Sequence, residues 1–128
     1  MLFRSHLARY RVADLALDTF PYTSHTTLSD ALWCGCPTVG LTGDTFASRV
    51  SGSLLTAAGL GDLVSASLTS YEHLANRIAT DAAFGKQLRE RVAQARDQSS
   101  LFDSTKFARD LERLYEGLIV ESAERQRV

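Results

Sequence analysis

The order of hydrophobic and polar positions predicts alternating strands and helices in the first half of the chain. The short apolar run "VADLALDTF" (residues 12–20) predicts a buried strand that ends in a turn. The next segment, "TTLSDALW" (residues 26–33), has its apolar residues at helical spacing and precedes Gly35 and Pro37, which are typical of a helix end. A second buried strand is predicted for "PTVGL" (residues 37–41).

Helical spacing dominates the rest of the chain. The segment "FASRVSGSLLTAAGL" (residues 46–60) predicts a helix with one buried apolar face, and "GDLVS" (residues 61–65) predicts a short third strand. A helical C-terminal part with three amphipathic stripes is predicted for residues 68–122, approximately. The predicted buried face of the helix over residues 46–60 is Phe46, Val50, Leu54 and Ala58; the later stripes are Tyr71, Leu74, Ala75 and Ile78, then Leu88, Val92 and Ala95, then Phe107, Leu111, Leu114, Tyr115 and Leu118.

This order of elements predicts an α/β fold. Strands that alternate with helices pair in parallel through crossover connections. Residues 1–128 are therefore expected to form one domain with a small parallel sheet, flanking helices and a helical C-terminus. With only two or three strands, it resembles the second half of a doubly wound domain, and an uncovered sheet edge and apolar surface predict self-association.

Composition narrows the function classes. The formal net charge is −1, from 14 basic and 15 acidic side chains, which argues against nucleic-acid binding because that usually needs a basic excess. Arg89, Arg91 and Arg96 alternate with acids or amides on an amphipathic helix and do not change this conclusion. The chain lacks an apolar run of about 18 residues, so no membrane span is expected. The start "MLFRSHLARYRV" is not typical of a secretory signal, and a cytoplasmic location is expected.

The two cysteines do not indicate a metal site. Cys34 and Cys36 have C-x-C spacing, without the second pair of cysteines or histidines that a zinc site needs. A disulfide between residues two apart would be strained. We interpret them as two small, partly buried thiols.

The polar run between the first strand and the next helix is the strongest candidate site. Ligands of open parallel sheets bind beyond the carboxyl ends of the strands, where Phe20–His25 and the helix start at Thr26 are expected to lie. A helix N-terminus offers free N–H groups and partial positive charge, and the hydroxyls of Thr26 and Thr27 add donors for a diphosphate. One turn further on, the Asp30 carboxylate could accept hydrogen bonds from ribose hydroxyls.

A purely structural interpretation of the same residues stands beside this one. Thr27 and Asp30 have nearly the spacing of a capping box, with Asp in place of Glu or Gln. Pro21 and Ser24 are ordinary turn residues.

Arg49 lies in the first turn of a predicted helix, which is unfavourable for a cation, and we expect it to pair with an acid such as Asp44.

A longer ordered pattern adds to these observations. The segment "RVADLALDTFPYTSHTTLSDALWCGCPTVGLTGDTFASRVSGSLL", followed by "SSLFDSTKFARDLERLY", resembles the C-terminal catalytic region of O-linked N-acetylglucosamine transferases, including SPINDLY-like glycosyltransferases. The similarity runs from about His6 to Tyr115. It implies a GT-B architecture of two facing Rossmann-like domains, with UDP-N-acetylglucosamine (UDP-GlcNAc) as donor on the C-terminal one. This chain would be the C-terminal half of that nucleotide-sugar-binding domain.

The resemblance also implies roles for individual residues. His25, Thr26 and Thr27 match the family's His-Thr-Thr that contacts the donor, in which the threonines hold the diphosphate. Asp30 matches the aspartate that binds the ribose region, and His6 matches the histidine that lies against uracil. The implied reaction is inverting transfer of the sugar to a Ser or Thr hydroxyl of a protein, without a metal or other cofactor.

Other parts of that machinery have no counterpart in these residues. The family's lysine near the diphosphate, its proposed general-base histidines and the tetratricopeptide repeats that select protein acceptors belong to upstream parts. Two hypotheses follow. The chain is either the donor-binding part of such a transferase, without a catalytic residue of its own, or a catalytically incomplete module that binds a nucleotide or a partner. It would then be a truncated gene product, a cloned fragment or a piece that associates with its other half.

Overall fold

The computed structural model describes residues 2–125, without the side chains of residues 2–4, 123 and 124. Within these residues, three short parallel strands form the sheet in the order β1-β2-β3, and six α-helices surround or follow it. The predicted α/β class with a small parallel sheet and a helical C-terminus is confirmed. The elements are α1 Leu2–Ala8, β1 Ala16–Leu17, α2 Thr26–Trp33, β2 Thr38–Leu41, α3 Phe46–Ala57, β3 Val64–Ser65, α4 Leu68–Thr80, α5 Ala82–Gln98 and α6 Ser104–Arg125.

The first strand is much shorter than predicted. Val12 follows a short 3-10 turn and is exposed, and β1 ends at Leu17, which is 55% exposed, so the predicted buried strand over residues 12–20 is wrong at both ends. The Arg89 side chain donates to the carbonyl of Ala13 and to Asp14, at 2.6 and 2.9 Å. The first of these contacts satisfies a backbone carbonyl just before β1 that a longer strand would have paired. After Leu17 the chain turns into the loop that precedes α2.

The register of the sheet determines which side chains share a face. Ala16 pairs with Thr38 and Leu17 with Val39, while Gly40 pairs with Val64 on the other side. Continuing the first register sets Asp18 opposite Gly40. Helix α3 packs on the face that carries Gly40, because a Cβ added there would meet Leu55 at 3.2 Å.

The core lies between the sheet and helices α2 to α5. Helix α4 packs against β2 and β3, and α5 packs against α4 and α2. The stripe predicted for α5 is confirmed, and so is that for α4 except Ala75, since the other residues of both stripes are buried or pack against the core. The buried cluster is Leu28, Leu32, Val39, Leu55, Ala58, Leu60, Leu63, Ile78, Leu88 and Val92.

Helix α3 does not bury the face that its sequence predicts. Phe46 is 82% exposed, and Val50 and Leu54 are only partly buried. The helix instead faces the sheet with Leu55 and with a face of small residues. Its buried residues are Ser48, Ser51, Gly52 and Leu55. Small side chains let the helix approach the strands closely, and this tight contact excludes water from polar serines. The predicted face is therefore wrong at Phe46 and Val50, whereas Leu54 packs against the core although it is only partly buried, and Ala58 is buried just after the helix.

Helix α6 presents an unpartnered apolar stripe. Phe107, Leu114, Tyr115 and Leu118 are all more than half exposed. The stripe is amphipathic as predicted, but within residues 2–125 no element covers it. Apolar surface of this kind is typical of an interaction site, and the self-association expected from the sequence stays a prediction.

The described helices include none long and apolar enough to span a bilayer.

Candidate functional site

Two loops meet at the carboxyl edge of the sheet. The first loop joins β1 to α2 and the second joins β2 to α3. They touch where Phe20 lies over Gly43, since a Cβ added at Gly43 would come within 2.9 Å of the Phe20 ring. Thr23 also donates its N–H to the carbonyl of Ala47, at 3.1 Å. The start of α2 is therefore fixed relative to the start of α3.

The start of α2 has no cap from a described side chain. Its N-cap residue is His25, which accepts hydrogen bonds from the N–H groups of Leu28 and Ser29 only through its backbone carbonyl. The capping box expected from Thr27 and Asp30 is wrong, because the helix begins at Thr26. Thr27 is thus the second helical residue and Asp30 the fifth, so they cannot cap reciprocally.

Both threonines at this helix start face solvent. Thr26 and Thr27 are exposed, and neither hydroxyl makes a hydrogen bond to another described residue. The N–H groups of the first helical residues have no acceptor within the helix. The first turn of α2 therefore presents two hydroxyls, free N–H groups and the positive end of the helix dipole on one exposed surface.

The other long helices begin differently. In each of α3, α4, α5 and α6, a side chain accepts a hydrogen bond from an N–H in the first turn. The accepting residues are Thr45, Ser67, Asp81 and Asp103. Side-chain caps of this kind stabilise a helix by about 1 kcal/mol. In α2 the corresponding N–H, that of Leu28, donates to the backbone carbonyl of His25 at 3.1 Å, so only the N–H groups of Thr26 and Thr27 stay without an acceptor in the helix.

Helix α1 and the turn after it flank this helix start. The Nε2 atom of His6 lies 4.0 Å from Oδ2 of Asp30. Tyr10 donates its hydroxyl to the carbonyl of Thr27, at 3.3 Å, and contacts the His6 ring edge-to-face. Burial, and then the nearby Asp30 carboxylate, raise the pKa of Tyr10, so its phenol stays a neutral donor. The structure thus brings His6, Thr27 and Asp30 together.

His25 lies in an aromatic cluster beside the helix start. Its ring stacks on Tyr22 with a centroid distance of 5.2 Å and meets the edge of Phe46 at 6.3 Å. Its Nε2 atom is buried and has no hydrogen-bond partner among the described residues. Of the five predicted site residues, His25 therefore lies in this aromatic cluster, whereas His6, Thr27 and Asp30 lie together on the side of α1.

An open groove runs along α3 from this cluster. It has a volume of about 1090 Å³, and its walls include Phe46, Val50, Leu54 and Val64. Arg49 and Asp44 also line it, but neither makes an ion pair with a described residue. The expected pairing of Arg49 with Asp44 is therefore wrong. Because Phe46, Val50 and Leu54 line this groove, they are exposed or only partly buried.

Two buried polar residues beneath the first loop were missed by the sequence analysis. Asp18 is 1% exposed and Thr23 is 1% exposed, although aspartate is seldom buried. Asp18 accepts a hydrogen bond from the N–H of Ser24 at 2.6 Å. The only sequence signal was an aspartate at the end of an apolar run, which an ordinary turn also explains.

The described residues include no group of three or more His, Cys, Asp or Glu side chains arranged to hold a metal ion.

Comparison with known proteins places the chain in one family of glycosyltransferases. The family described as glycosyl transferase family 41 matches residues 3–111. A probable UDP-N-acetylglucosamine–peptide N-acetylglucosaminyltransferase SPINDLY from Eustoma exaltatum subsp. russellianum is 36% identical over 118 residues, which are 92% of this chain and 13% of that protein. A UDP-N-acetylglucosamine–peptide N-acetylglucosaminyltransferase from Caenorhabditis elegans is 39% identical over 109 residues, or 85% of this chain and 10% of that protein.

A solved structure matches as well. A mutant O-GlcNAc transferase from Thermobaculum terrenum superimposes with a TM-score of 0.80 at 39% identity, over 87% of this chain and 21% of that one. This match confirms the predicted fold, the C-terminal half of a Rossmann-like GT-B domain. The chain belongs to glycosyl transferase family 41. It spans about an eighth of the length of the curated SPINDLY relative.

Proposed function

We propose that this chain is the donor-binding part of an inverting glycosyltransferase that transfers N-acetylglucosamine from UDP-GlcNAc to Ser or Thr hydroxyls of proteins. The observation that carries the proposal is the uncapped, exposed start of α2. Its hydroxyls and N–H groups suit a diphosphate, and they need no basic side chain to do so. Membership of glycosyl transferase family 41 and two curated relatives named for this transfer support it.

The proposed chemistry at this site is stabilisation of a leaving group. As the bond from the sugar to the diphosphate breaks, negative charge develops on the UDP oxygens. Preorganised donors directed at that charge lower the barrier more than they stabilise the ground state. Thr26 and Thr27 would donate to the diphosphate, Asp30 would accept from ribose hydroxyls, and the His6 ring would lie against uracil.

The acceptor and the general base are proposed to come from other parts of the enzyme. Facing GT-B and tetratricopeptide regions would bind the protein acceptor and supply the base, so we assign no catalytic residue to this chain. No metal or other cofactor is proposed, since the helix start would supply the positive potential. We further propose a cytoplasmic location and no nucleic-acid or membrane partner.

A second candidate function is a catalytically incomplete module that only binds a nucleotide or a partner. The short coverage of its relatives, 10% to 13% of their length, favours this for the chain acting alone. Turnover of UDP-GlcNAc onto a protein acceptor by this chain alone would contradict it.

Calorimetric titration tests donor binding. We expect UDP to bind at least about tenfold more tightly than uridine, because one charge-assisted hydrogen bond to the diphosphate is already enough for that difference. GDP serves as the control for base selectivity and should bind more weakly than UDP. If none of the three nucleotides binds, the donor-binding proposal is wrong and an interaction module remains.

Replacing Asp30 with asparagine tests the ribose contact. We expect UDP and uridine to lose affinity by the same factor, about three- to tenfold, because both carry the ribose and a neutral amide is the weaker acceptor. Asp97→Asn is the matched control, since Asp97 is exposed on α5 and pairs with Arg96; its affinities should not change. Unchanged uridine affinity in Asp30→Asn would remove Asp30 from the site.

A further inference from the structure

The loop before α2 is attached at two buried points. At its start, Oδ1 of Asp18 accepts the Ser24 N–H at 2.6 Å. Near its end, the Thr23 hydroxyl donates to the carbonyl of Ala47 at 2.5 Å and accepts the Ser51 N–H at 3.4 Å. The residues that follow directly are His25, Thr26 and Thr27. These two attachments therefore determine where the start of α2 lies.

Stability alone does not explain an aspartate at position 18. Its other oxygen, Oδ2, is buried without a hydrogen-bond partner among the described residues, and so is Oγ of Ser51. Burying polar atoms unpaired is unfavourable. An apolar residue of similar size would avoid that cost, but it could not accept the Ser24 N–H.

The sheet leaves room for this carboxylate. Asp18 extends the register of β1 so that it lies opposite Gly40 in β2. A Cβ added at Gly40 would meet Ser51 Oγ at 3.4 Å and Asp18 Oδ2 at 3.8 Å. Both unpaired polar atoms thus border the space that the glycine leaves free, and the carboxylate lies between the strand and α3.

We propose that Asp18 is a positioning residue for the donor site: by holding Ser24 it sets the start of α2 where the diphosphate binds. Thr23 is the second attachment of the same loop. Neither side chain would touch the nucleotide. This inference rests on the proposed donor function, and it assigns to a buried carboxylate an effect on diphosphate affinity that a residue needed only for folding would not have.

The test compares Asp18→Ala with Asp18→Asn by calorimetry. Alanine removes the acceptor for Ser24, so we expect UDP affinity to fall about tenfold, and uridine affinity to fall less than about threefold. Asparagine keeps a carbonyl oxygen for Ser24, and it should stay within about twofold of the wild type. A loss of UDP affinity in Asp18→Asn equal to that in Asp18→Ala would mean that the charge matters, and would overturn the proposal.

Leu55→Ala is the control for a purely structural effect. Leu55 borders the same space at Gly40 and is fully buried, but its side chain makes no hydrogen bond to the loop. This variant should lower the midpoint of urea unfolding while it keeps the ratio of UDP to uridine affinity. The proposal is overturned if Asp18→Ala leaves that ratio unchanged as well.

Amide hydrogen exchange provides a readout that needs no nucleotide. In Asp18→Ala, exchange at Ser24 and through residues 25–28 should accelerate at least about tenfold relative to the core strands, because the loop opens locally. Thr23→Val, which keeps the shape but loses the hydroxyl, should accelerate the same segment even if Asp18→Ala does not fold. Unchanged exchange in both variants would overturn the positioning role. Wild-type chain that fails to bind UDP would contradict only the donor function.

Discussion

Replacing Thr26 and Thr27 together with alanine is expected to weaken UDP binding by about 100-fold, since each hydrogen bond to a charged group contributes about 1.5–3 kcal/mol and 1.4 kcal/mol is tenfold. Uridine lacks the diphosphate, so its affinity should change by less than about threefold. The substitution leaves the backbone of α2 in place, because neither hydroxyl caps the helix. Calorimetric titration of both ligands into the same preparation measures the difference directly.

The chain contains a matched control for this double variant. Ser104 and Thr105 are likewise the first two residues of a helix, α6, and both are exposed. That helix start differs in one respect: the Asp103 carboxylate already accepts the Lys106 N–H at 2.8 Å. Ser104→Ala with Thr105→Ala should leave both affinities unchanged. Equal losses of UDP and uridine affinity in the α2 variant would show that its threonines shape the helix and do not hold a diphosphate.

Most helices could be predicted from the sequence because their own spacing decides them. Helix α2 buries the stripe that its apolar residues form, and α4 and α5 bury most of theirs or pack it against the core. Helix α3 shows the limit of this method. Periodicity identifies the apolar face of a helix, but whether that face is covered depends on which neighbour is present. In α3 the close approach to β2 selects small residues such as Ser51 and Gly52, and Val50 and Leu54 line an open groove.

The prediction of the first strand failed because it, too, depends on tertiary contacts. An apolar run predicts burial, but it does not say which groups will satisfy the backbone. The carbonyl of Ala13 accepts a hydrogen bond from the side chain of Arg89, which lies far away in the sequence on α5. Tertiary contacts of this kind shorten β1 to two residues, and residue type alone gives no sign of them.

The position of the candidate site could be predicted from the sequence, but the buried residue that holds its loop could not. The position of the helix start follows from the strand-to-helix order, and the resemblance supplied His6, which lies 4.0 Å from Asp30. Their roles toward the donor stay predictions. The buried Asp18 was missed because an aspartate after a strand usually marks a solvent-exposed turn. Only the fold shows that this one lies under the loop.

The second large effect is expected from Leu28→Ala, which should lower the free energy of unfolding by about 2–5 kcal/mol. Leu28 is 1% exposed and belongs to the main core cluster. It follows Thr27 directly, so it anchors the first turn of α2 to the core. A loss of this size is a large share of the about 5–15 kcal/mol that holds a typical domain folded.

Leu68→Ala makes the same chemical change on the surface. Leu68 begins α4 and is 60% exposed, so the change in its unfolding free energy should be within about 0.5 kcal/mol. Urea unfolding followed by the fluorescence of Trp33, the single tryptophan, measures both variants, and Trp33 reports on α2 itself. A loss of less than about 1 kcal/mol in Leu28→Ala would mean that the cavity collapses easily. The helix start would then owe its position to the loop held by Asp18 and Thr23 more than to the core beneath it.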